Sequence, residues 1–450
     1  MKLFEPKIFS AFKGYKAKDY ISDIVAGIIV AIIALPLSIA LAIASGATPE
    51  RGLFTAIIAG FITSLLGGSR VNITGPTAAF ATIVAGIILT QGVDGLFLAT
   101  IMAGIILVIM GLCRVGSLIK YIPHTITVGF TGGIAVTLVI GQLKDFLGLT
   151  YPSGTVAIES MEKLALVFEH ISTFNPWALV VGLLGLAILI FWPKLSKKIP
   201  GSLIAVIVGA LVCLIPVVSV NTIGSLYTIS SALPTFSFPE ITWERILALL
   251  PSAFTIALLA GIESLLSCVV SDKMVNDKHN SNTELMALGA SNIMVGMFGG
   301  IPATGAIART AANVKNGGKS PLSGMVHALV LLLVLVVLMP LASFIPMSII
   351  AAILFIVAYN MSEWREFVAI IKTKKWNDIL VLVVTFALTV IFDLVKAIAV
   401  GLVIHYVIVL IFYIVKKRKE KKGQPVTEEV VYSEEMVEPN EEVAEQPSEE

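Results

Sequence analysis

The chain contains a long series of apolar runs that are nearly free of charged residues, and these runs decide what it can fold into. A helix needs roughly 20 apolar residues to cross a bilayer, and fewer where it is broken or re-entrant. With 57% hydrophobic and only 14% charged residues, a soluble core could not bury so much apolar surface. We therefore predict an all-α polytopic membrane protein. Its fourteen candidate spans lie at about 24–45, 51–67, 75–89, 95–114, 122–143, 177–193, 201–219, 246–271, 284–299, 303–315, 322–344, 346–360, 377–393 and 395–416.

The distribution of positive charge predicts how these spans are oriented. If the N-terminus is cytoplasmic, 24 of the 31 Lys and Arg residues fall in cytoplasmic segments and five on the opposite side. The positive-inside rule predicts this bias. Arg70 and Arg309 lie near short helices and belong to neither group. We expect a multi-pass protein of the cell (inner) membrane with both termini cytoplasmic.

The spans divide into two sets of seven around a polar, proline-containing linker at 220–245. Because seven is odd, the second set must enter the membrane with the opposite orientation, which predicts a 7+7 inverted repeat of residues 24–219 and 246–416. Residues 1–23 would form a cytoplasmic leader. Residues 417–450 are first basic and then acidic, with few large apolar side chains, and we expect a disordered cytoplasmic tail.

The third span of each repeat is short, and Gly and Pro precede its helix. The sequence NITGPTAAF occupies 72–80, and FGGIPATGAIARTAAN occupies 298–313. Half-helices that aim their N-termini at a midplane site recur in secondary transporters, and the open N–H groups of a helix N-terminus bind anions. The alternative is close helix packing through small residues. We predict half-helices in spans 3 and 10, with an anion site formed by Thr74, Thr77, Ala78, Ala79, Thr304, Gly305 and Ala306.

Two charged residues inside predicted spans extend this hypothesis. Arg309 is costly in hydrocarbon unless it faces a cavity or a partner, so we predict that it adds positive charge to the anion site. Glu263 is predicted to be the only acid well inside a span, and Ser267 lies one helical turn further on. A carboxylate with a hydroxyl suits a Na⁺ site or a protonatable group. The alternatives are an ion pair between Glu263 and Arg309, or an Arg309 side chain that reaches the cytoplasmic face.

Other features of the sequence argue against an enzyme or a metalloprotein. Cys113, Cys213 and Cys268 lie singly in apolar runs, without metal-ligand spacing. The segment 316–321 superficially resembles a phosphate loop, but Asn313 stands where that motif needs its first glycine. We expect no enzymatic activity, no cofactor apart from a coupling Na⁺, and no nucleic-acid partner. The partners would be the anion and the lipid bilayer.

Several stretches, in this order, resemble the SulP family of inorganic anion transporters, the sulfate permeases. The resemblance covers roughly residues 15–415. It is carried by ALPLSIA at 34–40, GGSRVNITGPT at 67–77, GFTGGIA at 129–135, GQLKDFL at 141–147, ESLLS at 263–267, HNSN at 279–282, GGIPATGAIART at 299–310 and AYNMSEW at 358–364.

The resemblance implies a 7+7 inverted-repeat fold shared with uracil transporters. Spans 1–4 and 8–11 would form a mobile core, and spans 5–7 and 12–14 a gate or scaffold, commonly in a homodimer. Family members usually carry a STAS domain after the last span. We expect this chain to lack it, because only the acidic tail follows there, and this leaves dimerisation and regulation open.

The implied activity is secondary active transport of small inorganic anions, sulfate or bicarbonate, by an elevator-like movement coupled to Na⁺ or H⁺. An uncoupled anion channel or an anion exchanger on the same scaffold is the alternative. Arg309 matches a basic position lining the family's anion pocket. The implied cation ligands are Glu263, Ser267 and the backbone of Gly305, Ala306 and Ile307.

Overall fold

The computed structural model describes most of the chain. The described residues are 4–116, 123–152, 155, 157, 159–196, 199–373, 375–391, 400–411 and 414. The predicted tail at 417–450 lies outside these ranges, as do parts of predicted span 14.

Helices account for most of the described chain. They are α1 (Ile8–Ala11), α2 (Ala17–Ala44), α3 (Pro49–Leu66), α4 (Ala81–Leu112), α5 (His124–Leu147), α6 (Ser160–Glu169), α7 (Pro176–Leu195), α8 (Gly201–Cys213), α9 (Ile223–Leu226), α10 (Trp243–Val275), α11 (Ser281–Met297), α12 (Ile307–Lys315), α13 (Pro321–Leu338), α14 (Met347–Met361), α15 (Trp364–Lys372), α16 (Trp376–Ile391) and α17 (Val400–Ile411). A 3₁₀ helix at Ala78–Phe80 runs into α4, and another at Met339–Phe344 follows α13. Two short strands, β1 (Thr74–Gly75) and β2 (Thr304–Gly305), form one sheet.

Helices lie within all fourteen predicted spans, but they differ in length. Among the described residues, seven helical segments are long and apolar enough to cross a membrane. One of them, Ala78–Leu112, covers most of predicted spans 3 and 4, which Gly92 separates with a left-handed φ of 70°. Others, such as α8 and α12, are shorter. The arrangement of all fourteen spans as a 7+7 inverted repeat stays a prediction.

Local signals in the sequence explain where several helices begin and end. The Asn175 side chain accepts a hydrogen bond from the Trp177 N–H at the start of α7, at 3.0 Å. Ser320 caps α13 in the same way, and Pro321 fills the first helical position, where no N–H is needed. Helix α10 ends at Asn276, whose φ of 51° is left-handed.

Contacts between Cα atoms divide the chain into two compact units. The first comprises Met1–Gly116, Leu138–Ile158 and Glu162–Ile356. The second comprises Ser117–Thr137, Glu159–Met161 and Val357–Glu450. Within the second unit, a buried apolar cluster of Ile126, Val381 and Ile408 joins the start of α5 to α16 and α17.

Close helix crossings build the interior of the first unit. Helices α4 and α11 cross at two facing glycines: a Cβ on Gly104 would lie 2.6 Å from the Gly289 carbonyl oxygen. Small residues let membrane helices approach in this way. Helix α13 packs against α2 and α3, and a Cβ on Gly27 would lie 2.5 Å from the Ser323 carbonyl oxygen. These crossings bring α3, α10, α11 and α13 around the β1–β2 sheet.

The leader segment before α2 packs against the same unit. Lys7 Nζ forms an ion pair with Asp277 at 2.9 Å, and Arg70 Nε lies 3.5 Å from the same carboxylate. Burial disfavours the charged Asp277 carboxylate, but the hydrogen bond from Lys7 and the positive charges outweigh it and hold the pKa of Asp277 below its ordinary value. The Glu5 N–H donates to Thr283 Oγ1 at 2.9 Å. The leader is therefore attached to α11 and the loop that precedes it.

Candidate functional site

The two segments that the sequence singled out lie side by side. Strands β1 and β2 pair antiparallel, with Thr74 opposite Gly305 and Gly75 opposite Thr304. The Ala306 N–H extends this pairing by donating to the Ile73 carbonyl at 2.9 Å. The sequence predicted that these two segments meet. In the structure they meet through backbone hydrogen bonds of a two-stranded sheet.

A helix begins immediately after each strand. Thr77 is extended, and the helical backbone starts at Ala78 and continues through Ala79 into α4. Ala306 is extended, and α12 starts at Ile307. The first N–H groups of each helix have no partner within the helix, and the helix dipole places partial positive charge there. Two such N-termini therefore lie at one small sheet.

Arg309 is buried beside this sheet, with 2% of the residue exposed. Its Nη2 donates to the Pro76 carbonyl, which lies between β1 and the 3₁₀ helix. Its Nε and Nη1 are buried and have no hydrogen-bond partner. A buried guanidinium with two unpartnered nitrogens is costly, and an anion that accepts from them would relieve the cost.

Glu263 approaches the site from α10. Thr77 Oγ1 donates to its Oε2 at 3.0 Å, so the carboxylate sits at the start of the first half-helix. Glu263 and Arg309 form no ion pair within 4.0 Å in the part of the chain that the structure describes. The alternative of a direct ion pair therefore does not account for either charge.

Ser267, one turn further along α10, lies in a different set of contacts. Its Oγ donates to Asn72 Oδ1 at 2.7 Å and lies 3.1 Å from Thr310 Oγ1. The Thr304 hydroxyl, another predicted site group, donates to the Ala260 carbonyl at 2.7 Å. The structure thus brings the predicted site residues to β1, β2, the two helices that begin after them and the adjacent turn of α10. Glu263 contacts the first half-helix and Ser267 does not, and the Ile307 side chain is exposed.

Sequence reasoning missed the residue at the centre of these contacts, Asn72. Its Oδ1 accepts from Ser267 and Thr310, and its Nδ2 donates to Ser264 at 3.2 Å and to Glu284 at 2.7 Å. One buried amide therefore connects three helices to the segment that leads into β1.

Glu284 was also missed. It is fully buried, and its Oε2 accepts from the N–H groups of Gly68 and Ser69 at 2.9 and 3.1 Å. Its Oε1 accepts from Asn72 and lies 3.4 Å from Ser264 Oγ. Predicted span 9 begins at Glu284, so the sequence placed this acid at a span end rather than inside the protein.

Comparison with known proteins agrees with this architecture. Residues 20–385 match the Sulfate permease family. The chain belongs to this family. This membership, together with the apolar helices, confirms the predicted family and the prediction of a multi-pass helical membrane protein.

Among the relatives of this chain is the putative sulfate transporter YvdB of Bacillus subtilis. It is 45% identical over 402 residues, which cover 88% of this chain and 74% of the relative. The bicarbonate transporter BicA of Picosynechococcus is 33% identical, with 86% and 70% covered. Both are transporters by name, which confirms the prediction that the chain is not an enzyme.

Solved structures show the same fold. The transmembrane domain of a cyanobacterial bicarbonate transporter BicA has a TM-score of 0.76 and 30% identity, covering 85% of this chain and 98% of that one. Murine Slc26a9, an anion transporter in the inward-facing state, has a TM-score of 0.82 at 20% identity, covering 91% and 71%. The second likeness concerns the fold alone.

We predict that Gly75→Ala strongly reduces anion uptake. A Cβ on Gly75 would overlap Nη1 of Arg309 and lie 3.6 Å from Ala56 Cα, so the guanidinium must leave its position. We expect anion uptake to fall about tenfold or more, because a displacement of about 1 Å at a binding group has effects of this size. The measurement is initial uptake in proteoliposomes, normalised to reconstituted protein.

Gly141→Ala on α5 is the matched control. A Cβ there would meet nothing within 4 Å, so uptake should stay at the wild-type level. Normal uptake by Gly75→Ala would show that Arg309 does not need its position over Gly75.

Proposed function

We propose that this chain is a secondary active transporter of small inorganic anions, with sulfate or bicarbonate as its substrate. The observation that carries the proposal is buried Arg309, with two unpartnered nitrogens beside two helix N-termini. An oxyanion can accept from a guanidinium and from backbone N–H groups together. The names of YvdB and BicA supply the two substrate candidates.

The proposed anion site comprises the residues predicted from the sequence. The backbone N–H groups of Ala78, Ala79 and Gly305 would act with the Thr74 hydroxyl and the Arg309 side chain. Thr77, Thr304 and Ala306 would line the site, because their hydroxyl or N–H protons already go to Glu263, Ala260 and Ile73. Backbone donors recognise charge more than identity, so this set of residues suits more than one inorganic anion.

The proposed architecture has fourteen spans in a 7+7 inverted repeat, residues 24–219 and 246–416, joined by the linker at 220–245. Two observations support it: helices lie within each predicted span, and the third-span segments of the two halves pair with each other. Spans 1–4 and 8–11 would carry the anion across the membrane in an elevator movement against the other spans. The protein would be a homodimer of the cell membrane with both termini cytoplasmic.

The proposed coupling cation binds next to the anion. Glu263 would supply the negative charge for Na⁺ or H⁺, and Ser267 and the backbone of Gly305, Ala306 and Ile307 would supply neutral oxygens. Glu263 contacts Thr77, at the start of one proposed anion-binding helix, which supports a position next to the anion. Each ion would then reduce the electrostatic cost of moving the other through the membrane.

Glu263→Gln tests this coupling. We expect the variant to fold and to lose at least about tenfold of its cation-driven accumulation, because Gln keeps the acceptor for Thr77 but removes the charge. The measurement is uptake of radiolabelled sulfate and bicarbonate with and without an inward Na⁺ or proton gradient.

Glu240→Gln, at an exposed glutamate of the linker, is the matched control and should behave as wild type. If Glu263→Gln keeps the wild-type dependence on both gradients, Glu263 has no coupling role.

A further inference from the structure

His327 on α13 is a buried titratable residue that the proposed transport cycle does not yet use. It is 0% exposed, and both ring nitrogens are buried without a hydrogen-bond partner. A neutral imidazole carries one donor and one acceptor, so leaving both unpaired inside a protein is costly. The surroundings of the ring therefore indicate what it binds.

The ring approaches strand β1 at Gly60 of α3. The point where a Cβ on Gly60 would lie is 3.3 Å from His327 Nδ1 and 3.5 Å from the Thr74 carbonyl oxygen. The absence of a side chain at Gly60 is what lets the imidazole approach the strand. The Thr74 hydroxyl is also buried without a partner.

Arg309 meets β1 and α3 at the adjoining point. Its guanidinium packs against Gly75, the residue after Thr74, and Gly75 in turn packs against Ala56. Ala56 and Gly60 are one turn apart on the same face of α3, a rise of about 6 Å. His327 and Arg309 thus lie next to two consecutive residues of β1, Thr74 and Gly75. The side chains of His327, Arg309 and Thr74 each have buried polar atoms without hydrogen-bond partners.

Arg309 is the charged residue that contacts β1 next to the position that His327 approaches. Helix α13 carries no other titratable side chain, and neither β1 nor the 3₁₀ helix at Met339–Phe344 carries one. On α2 and α3 the titratable residues all lie in the first two turns. The neighbouring groups are Lys18, Asp19, Tyr20 and Asp23 on α2, Glu50 and Arg51 on α3, Arg309 and Lys315 on α12, and Glu263 on α10, which contacts Thr77 just beyond β1.

We propose that His327 is a proton-binding site of the transport core, and that it takes up its proton together with the anion. The proposal rests on the anion site at Arg309. Two positive charges beside consecutive residues of one strand in a low-dielectric interior repel each other, so the ring stays neutral while Arg309 lacks an anion. An anion bound at Arg309 cancels that repulsion, and one proton then moves from water to the imidazole.

Linkage makes the effect reciprocal. If the bound anion favours protonation of His327, protonation must raise the affinity for the anion by the same factor. Low pH on the side of uptake would therefore load the core, and higher pH on the other side would unload it. His327 would then take up a proton in addition to the cation proposed at Glu263.

The test compares wild type, His327→Gln and His405→Gln in proteoliposomes. His405 is a second buried histidine, on α17 in the other unit, and it serves as the matched control. The probes are radiolabelled sulfate and bicarbonate at fixed free concentration, with a pH-sensitive dye inside the vesicles.

We expect wild-type uptake to rise about fivefold as the external pH falls from about 8 to about 6, with acidification of the lumen that depends on the anion. His405→Gln should do the same. His327→Gln should lose both the pH dependence and the acidification while still exchanging anion.

Two results would overturn the proposal. One is His327→Gln with the wild-type pH dependence. The other is a wild-type protein that takes up sulfate without acidifying the lumen, a result that does not depend on how any variant folds. Sulfate is the probe for this readout because imported bicarbonate and a proton would combine to CO₂ and leave the lumenal pH unchanged. If wild type takes up neither sulfate nor bicarbonate, that result would instead contradict the proposed function itself.

Discussion

Replacing Arg309 by alanine should weaken binding of the transported anion about 100-fold while the protein still folds. Among the residues that the structure describes, the guanidinium is the one full positive charge at the β1–β2 sheet, and burial protects its field from solvent screening. Removal leaves only the partial charges of two helix N-termini. The measurement is the concentration dependence of uptake, supported by direct anion binding to the purified protein.

Arg309→Lys separates charge from geometry. Lysine keeps the charge but cannot donate to the Pro76 carbonyl and also present two further nitrogens in one plane. We expect an affinity between those of wild type and alanine, about tenfold below wild type. If Arg309→Ala binds anion normally, the guanidinium serves only to hold the Pro76 turn in place.

Glu284→Ala should be the most destabilising substitution near the site, by about 3–5 kcal/mol. The carboxylate accepts from two backbone N–H groups and from Asn72. Alanine would leave both N–H groups buried and unpaired, and Asn72 Nδ2 with only its longer hydrogen bond to Ser264. The loss of the Asn72 contact would then loosen the segment that leads into β1. Thermal unfolding of the protein in detergent measures the effect, and anion uptake should fall with it.

Two variants calibrate that result. Glu284→Gln keeps one acceptor oxygen, so we expect a smaller loss of about 1–2 kcal/mol. Glu244→Ala, at an exposed position in the first turn of α10, should change stability by no more than about 0.5 kcal/mol. Unfolding of Glu284→Ala at the wild-type temperature would show that the buried network does not hold the site together.

Much of this architecture could be predicted from the sequence, because its signals are local. Apolar runs of membrane-spanning length locate the helices, and Gly and Pro before Ala-rich stretches locate the two short ones. Their position as third span in each half predicted that 72–80 and 298–313 meet. The register of β1 with β2 could not be predicted, because it depends on backbone pairing between residues more than 200 positions apart.

The buried polar network could not be predicted for the same reason. Glu284 lies at the edge of an apolar run, where an acid is ordinarily solvated, and it is buried only because the Gly68–Ser69 turn folds onto it from 216 and 215 positions away. Ser267 was chosen for its spacing from Glu263, and its hydroxyl contacts Asn72 and Thr310. Helical spacing predicts the face of the helix on which a residue lies, but it does not predict which side chains that residue contacts.

Concentrative uptake by the purified protein in proteoliposomes decides whether the chain is a coupled anion transporter. Radiolabelled sulfate and bicarbonate would each be offered with an imposed Na⁺ or proton gradient, and again with none. We predict that at least one anion accumulates above its external concentration when a gradient is imposed, and only equilibrates without one. In Arg309→Ala, both the accumulation and the equilibration should be lost. Anion current that needs no cation gradient and persists in Arg309→Ala would contradict this prediction.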